Sequence, residues 1–157
     1  MQLLDLLRGP PGHPFHPPLT DAAIGLYTGA TAFAVLSALG ISEANTATAA
    51  WLALVVGLVV TIPTALTGLA EWLGLEPGTA ARRTATIHLL AMVSATVVFL
   101  LAAIVGHGGY VDEEMTSGTL VLTLVAYALL SVGGLLGGQL VFGHGVRVLG
   151  GPPRVER

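Results

Sequence analysis

The segment His13-Pro-Phe-His16-Pro-Pro stands near the start of the chain. Prolines at 14, 17 and 18 favour a polyproline II arm, with three residues per turn and about 3.1 Å of rise per residue. His13 and His16 then project the same way, about 9 Å apart along the arm. Two imidazoles so spaced can serve one transition metal or two neighbouring ones, because imidazole suits zinc, copper and iron. Five residues on stands Asp21, which reads, with Thr20, as an N-cap for the first long helix.

Two more histidines belong to the same level of the molecule. His88 follows Arg83 by five residues, about 7 Å along a helix, and His144 precedes Arg147 by three, about 4–5 Å. Both therefore sit at equal, shallow depth, where ionisable side chains point inward and mark a working site. Glu71 ends the second apolar stretch at this depth, on one face with Thr64, Thr67 and Gly68. His107, in Gly-His-Gly-Gly, is on the opposite side and reads as an ordinary loop residue.

These residue types admit three chemistries. A b-type haem needs axial histidines and a flat pocket edged by small residues. His88 and His144 would be its axial ligands, being on rigid helices. His13 and His16 would cover it, and Gly134 and Gly138 would clear the plane. Asp21 and Glu71 would accept imidazole N–H groups and fix the tautomers. A transition-metal site would instead take Asp21 and Glu71 as ligands beside the histidines. Third, the cluster is a hydrogen-bonded layer fastening the proline arm to the bundle, with a proton relay as its variant, since histidine titrates near neutrality. The overlapping pairs Gly133/Gly137 and Gly134/Gly138, and Gly25/Gly29, equally suit close packing of partner helices.

The elements that position these groups follow from composition. The chain has 157 residues, 54% hydrophobic and 10% charged, with a mean hydropathy of +0.82, against about a quarter charged in soluble domains. Four runs, 22–41, 47–69, 84–105 and 118–142, approach or exceed the roughly 20 residues that cross a bilayer. Runs of this length without period-two alternation are helices, since lipid leaves no backbone group unpaired. Short loops make neighbours antiparallel, which predicts an all-α, up-down-up-down four-helix membrane bundle. Pro63 should kink the second span. The prolines after Gly9 and the lack of a long apolar core exclude a cleaved signal peptide in the leader. The predicted organisation is an arm over 1–21, the membrane domain over 22–146 and a tail over 147–157.

All six basic residues are arginines, at 8, 82, 83, 147, 154 and 157, while the opposite loops hold Glu43, Asp112, Glu113 and Glu114. Positive residues at span ends stay cytoplasmic, so both termini are expected in the cytoplasm of a multi-pass cell-membrane protein. Trp72 and Tyr110 are placed at the two interfaces. Absence of cysteine excludes disulfides, iron–sulfur clusters and thiolate zinc sites within the chain. No basic run points to nucleic acid.

Four segments in order carry a resemblance. They are the His13–Asp21 motif with the Ala-Ala-Ile-Gly-Leu that follows it, Ile62-Pro63-Thr-Ala-Leu-Thr-Gly68-Leu-Ala-Glu71-Trp72, Ala81-Arg82-Arg83 with His88, and Gly137-Gly138-Gln-Leu-Val-Phe-Gly-His144-Gly145-Val. Across nearly all of its length the chain resembles the bacterial domain-of-unknown-function family 2231, small membrane proteins opening with His-Pro-x-His-Pro. The resemblance implies four membrane helices, sometimes attached to a Rieske iron–sulfur module, and no established activity. This chain departs from the family in Asp21, where many members have histidine, in Met92, where many have asparagine, and in Ala34, where many have an acidic residue. The expected functions are a haem-bearing electron-transfer subunit exchanging electrons with a quinone or redox partner, a non-enzymatic scaffold or accessory subunit binding partner helices through its glycine faces, or a metal- or proton-handling protein. None makes the chain an enzyme on its own.

Overall fold

The computed structural model describes residues 3–10 and 12–148. It comprises α1 (Leu3–Arg8), α2 (His16–Ala38), α3 (Glu43–Gly74), α4 (Ala80–Val111) and α5 (Ser117–Gly138), which ends in a π-helical turn, Gln139–Gly143. Four helices, counting α5 with its last turn, are long and apolar enough to cross a membrane. The all-helical membrane fold expected from composition is therefore the one observed.

The start of α2 differs from the expected arm. Phe15 is its N-cap, in the helical region and without a side-chain cap, and the prolines occupy the first turn. Proline suits that turn because its missing N–H has no partner there, and its fixed φ fits a helix as well as an extended coil. His13 to His16 is thus no polyproline helix, and Asp21 is exposed inside α2 rather than capping it. At the other end, Gly40 takes φ 72. Its N–H reaches Ser37 O (2.9 Å) and that of Ile41 reaches Leu36 O (3.0 Å), the paired bonds of a Schellman stop. Thr79 and Thr116 cap α4 and α5, accepting from the N–H of Arg82 and Thr119.

Helices α3 and α4 have 32 residues each, about 48 Å at 1.5 Å per residue, well beyond a hydrocarbon layer of roughly 30 Å. Hydropathy marks only their apolar middles. The polar ends simply continue the helix, so His107 lies in α4 and not in a loop.

Helices α2, α3, α4 and α5 form a closed ring, each against the next and α2 against α5. Their pairings are antiparallel: Tyr27 meets Thr61, Trp51 meets Ala103, and Gly133 faces Met92. The interior is built from Ala23, Ala30, Ala95, Ala102 and Ala126 around Leu54, Leu130 and a stacked Tyr27–Phe99 pair at 4.0 Å. Bulky side chains such as Val59, Ile62, Leu90 and Ile104 point outward. Small inside and large outside is the membrane pattern, because lipid accepts aliphatic chains while close helix contact needs small ones. Buried Thr31, Thr64 and Thr123 return their hydroxyl protons to carbonyls one turn back, at 2.7–2.8 Å.

Candidate functional site

One end of the ring gathers α1, the start of α2, the end of α3, the start of α4 and the turn after α5. His16 opens α2 and leans on α3. Its Nδ1 lies 3.0 Å from Thr64 O and 3.3 Å from Thr67 Oγ1. A carbonyl only accepts, so Nδ1 carries the proton. A Cβ on Gly68 would fall 2.6 Å from the ring, so glycine there lets the imidazole lie against the α3 backbone. Thr64, Thr67 and Gly68 share a stripe because residues three and four apart face the same way. The Thr20 hydroxyl donates to His16 O (2.9 Å) and stands 3.4 Å from Nε2, which leaves that nitrogen at most weakly engaged.

His88 repeats the arrangement between α4 and α5. Its Nδ1 donates to Gly133 O of α5 at 2.8 Å, and its ring rests on Gly137, where a Cβ would lie 3.3 Å away. Among the described residues its Nε2 has no hydrogen-bond partner. Among the described residues no buried side-chain nitrogen or oxygen lacks a partner, so this nitrogen opens to the surroundings. His144 Nε2 pairs with Thr84 Oγ1 at 3.1 Å. Thr84 is one turn, about 6 Å, from His88 along α4, so His144 bonds on the helix face that carries His88, while His88 itself bonds to Gly133. His13 is exposed, and its backbone N–H closes a turn onto Pro10 O at 3.0 Å.

Among the described residues neither carboxylate has a hydrogen bond to a histidine. Asp21 is exposed. Glu71 accepts from Arg147 Nε at 3.1 Å, Arg147 Nη2 donates to Arg8 O at 3.1 Å, and Arg8 Nε donates to Ala70 O at 2.8 Å. This chain of bonds ties α1, α3 and the turn after α5 together. Gly74 gives the Arg8 guanidinium its seat, since a Cβ there would fall 2.7 Å from it. Arg82 lies 3.5 Å above the Trp72 ring and caps the end of α3 through Trp72 O and Leu75 O. Arg8 and Arg147 enter the sequence reading only as markers of topology. Gly74, against which the Arg8 guanidinium lies, is the local sign of that residue's place.

The arrangement bears on the cofactor expectations. Gly133 and Gly137, which face α4, are filled by Met92 and His88, while beside Gly134 and Gly138 a Cβ would meet nothing within 4 Å. Adjacent helical residues point about 100° apart, so the two glycine pairs of α5 face different surroundings. Among the described residues no three histidine or acidic side chains are placed to hold a metal ion.

Residues 12–150 match the family described as "Predicted membrane protein (DUF2231)". The chain belongs to that family. The match spans His13, His16, Glu71, His88, His144 and Arg147, and leaves α1 with Arg8 ahead of it. No curated protein and no solved structure matches the chain. The family's description says that it is of the membrane and gives no activity.

Proposed function

We propose that this protein is a non-enzymatic scaffold or accessory subunit of the cell membrane, and that its histidine–arginine layer is a clamp. The observation that carries this is the bonding of the layer. His16, His88, His144, Arg8 and Arg147 each bond across to another element, and Glu71 is the partner of Arg147. Such bonds are worth about 0.5–2 kcal/mol each inside a membrane. Together they hold the N-terminal segment and the turn after α5 to the bundle end, leaving the helix faces for partner subunits.

One observation favours a second reading. Both His16 and His88 have Nδ1 on a main-chain carbonyl, the support that orients a ligand histidine, and Nε2 of each lies outside strong bonds. The pair would then offer two imidazoles to haem iron or a transition metal, without the help of His144.

One experiment separates the two. Full-length protein purified from its native membrane is assayed for a Soret band and bound metal, and the single variants His16→Ala, His88→Ala, His144→Ala and His107→Ala are melted in detergent. The clamp predicts neither haem nor stoichiometric metal, lower melting for the first three variants and no change for His107→Ala. A Soret band or metal content that vanishes in His88→Ala would sink it.

The layer is proposed to face the cytoplasm, supported by the one-sided arginines. A periplasm-active phosphatase fused after Arg157 should be silent, and one inserted at Asp112 active. The opposite pattern overturns the orientation.

A further inference from the structure

Beside the clamp, the end of α3 and the turn after α5 enclose a cleft of about 190 Å³ lined by Arg8, Glu71, Gly74, Leu75, Val146 and Arg147. We propose that this cleft holds the phosphodiester headgroup of an anionic membrane phospholipid. The lining holds two guanidiniums and one carboxylate, with Asp5 outside it at 4.0 Å from Arg8. An anionic phosphodiester sets one more negative charge beside these guanidiniums, whereas a zwitterionic headgroup would bring its own cation next to them.

The donors are in place. Glu71 holds Arg147 by Nε, and Arg8 O takes its Nη2, so Nη1 stays outside these bonds. Arg8 uses Nε on Ala70 O, with Asp5 at 4.0 Å from Nη1, which leaves Nη2. Planar guanidinium forks suit phosphate oxygens. The cleft is far larger than the roughly 10–15 Å³ that one water needs, and so has room for a phosphate with its glyceryl ester.

Depth and rim identify the source as lipid. The cleft lies where α3 ends, at the end of a helix that outruns the hydrocarbon layer, and so at headgroup level. The elements of this end expose Leu6, Phe15 and Phe142, large apolar side chains suited to the acyl chains beneath a headgroup. Basic pockets at helix ends are the sites where anionic headgroups bind. Arg83, exposed in the first turn of α4, adds positive potential on the same side.

The test uses the full chain in neutral detergent, titrated with phosphatidylglycerol, phosphatidylcholine or inorganic phosphate. Bound lipid is counted by native mass spectrometry and the melting midpoint is recorded. Phosphatidylglycerol should be retained and should raise the midpoint by several degrees, while phosphatidylcholine and phosphate do neither. Arg147→Gln and Arg8→Gln should each weaken retention at least tenfold, and Arg83→Gln less than threefold. Val146→Trp, which fills the cleft without touching the ion pair, should also abolish retention, so the test survives if an arginine variant fails to fold. Equal retention of the two lipids, an equal shift with inorganic phosphate, or wild-type retention in Val146→Trp overturns the proposal.

Discussion

Replacing Phe99 with alanine should lower the stability of the bundle by about 2–3 kcal/mol. The ring is fully buried and stacks on Tyr27 at 4.0 Å with an interplanar angle of 4°. In a membrane the transfer of apolar surface from water adds little, so the loss comes from the cavity and the stack. A void of roughly 100 Å³ at about 24 cal/mol per Å³ gives ~2.4 kcal/mol, and the aromatic pair adds ~0.5–1.5 kcal/mol, part of which relaxation recovers. Tyr27 is fixed independently by its bond to Thr61 and by the α3 backbone at Gly57, where a Cβ would lie 2.9 Å from the ring. The surrounding helices therefore cannot collapse freely into the space. Unfolding in detergent reads the effect, and Phe99→Leu should recover more than half of it. A Phe99→Ala protein that unfolds like the wild type would show that the ring is not in the core.

Two neighbouring glycines should respond oppositely to the same substitution. At Gly109, near the end of α4, a Cβ would stand 2.4 Å from the main-chain oxygen of Glu114, whose own N–H donates to Gly109 O at 2.8 Å. The obstacle is backbone in a turn where Glu113 already takes φ 58, so it cannot swing aside as a side chain would. Gly109→Ala should cost about 3 kcal/mol, the upper part of the range for overpacking. At Gly108 nothing lies within 4 Å of the added carbon. Gly108→Ala should instead stabilise, by up to about 1 kcal/mol, the helix-propensity gap between glycine and alanine. Equal melting of the two variants would refute the described packing of the α4–α5 turn.

The arginines show how far the sequence alone reaches. Because they mark where helices leave the membrane, they rank His16, His88, His144 and Glu71 by depth, and the structure has all four at one end. Depth is a one-dimensional quantity, and azimuth is not readable from it. That His88 bonds Gly133 turns on rotation about α4, and a residue step of about 100° separates Gly133, under Met92, from Gly134, with nothing within 4 Å of an added Cβ. Hydropathy likewise finds the apolar middles of α3 and α4 and misses their polar ends, which stay helical because the backbone bonds continue there. The Pro17-Pro18 pair is ambiguous for a different reason: one φ value suits both a polyproline arm and the first turn of a helix, and only the contacts of His16 with α3 decide between them. Arg8 and Arg147 escape because a charged residue at a span end already has a sufficient reason to be there.

The bond from Arg147 to the main chain of Arg8 joins residues 139 apart, and this sets an order of events. Ribosomes deliver roughly 5–20 residues per second, so about 7–30 s pass between the appearance of the two partners. In that interval α2 and α3 can pair as a hairpin and Arg8 can settle on Ala70, followed by α4 and α5 as a second hairpin. The carbonyl of Arg8, and from its own synthesis the carboxylate of Glu71, wait for Arg147, near the end of the described chain. The latch therefore closes as the final step of maturation, and a nascent chain caught before it should present an open bundle end to whatever surveys unfinished membrane proteins.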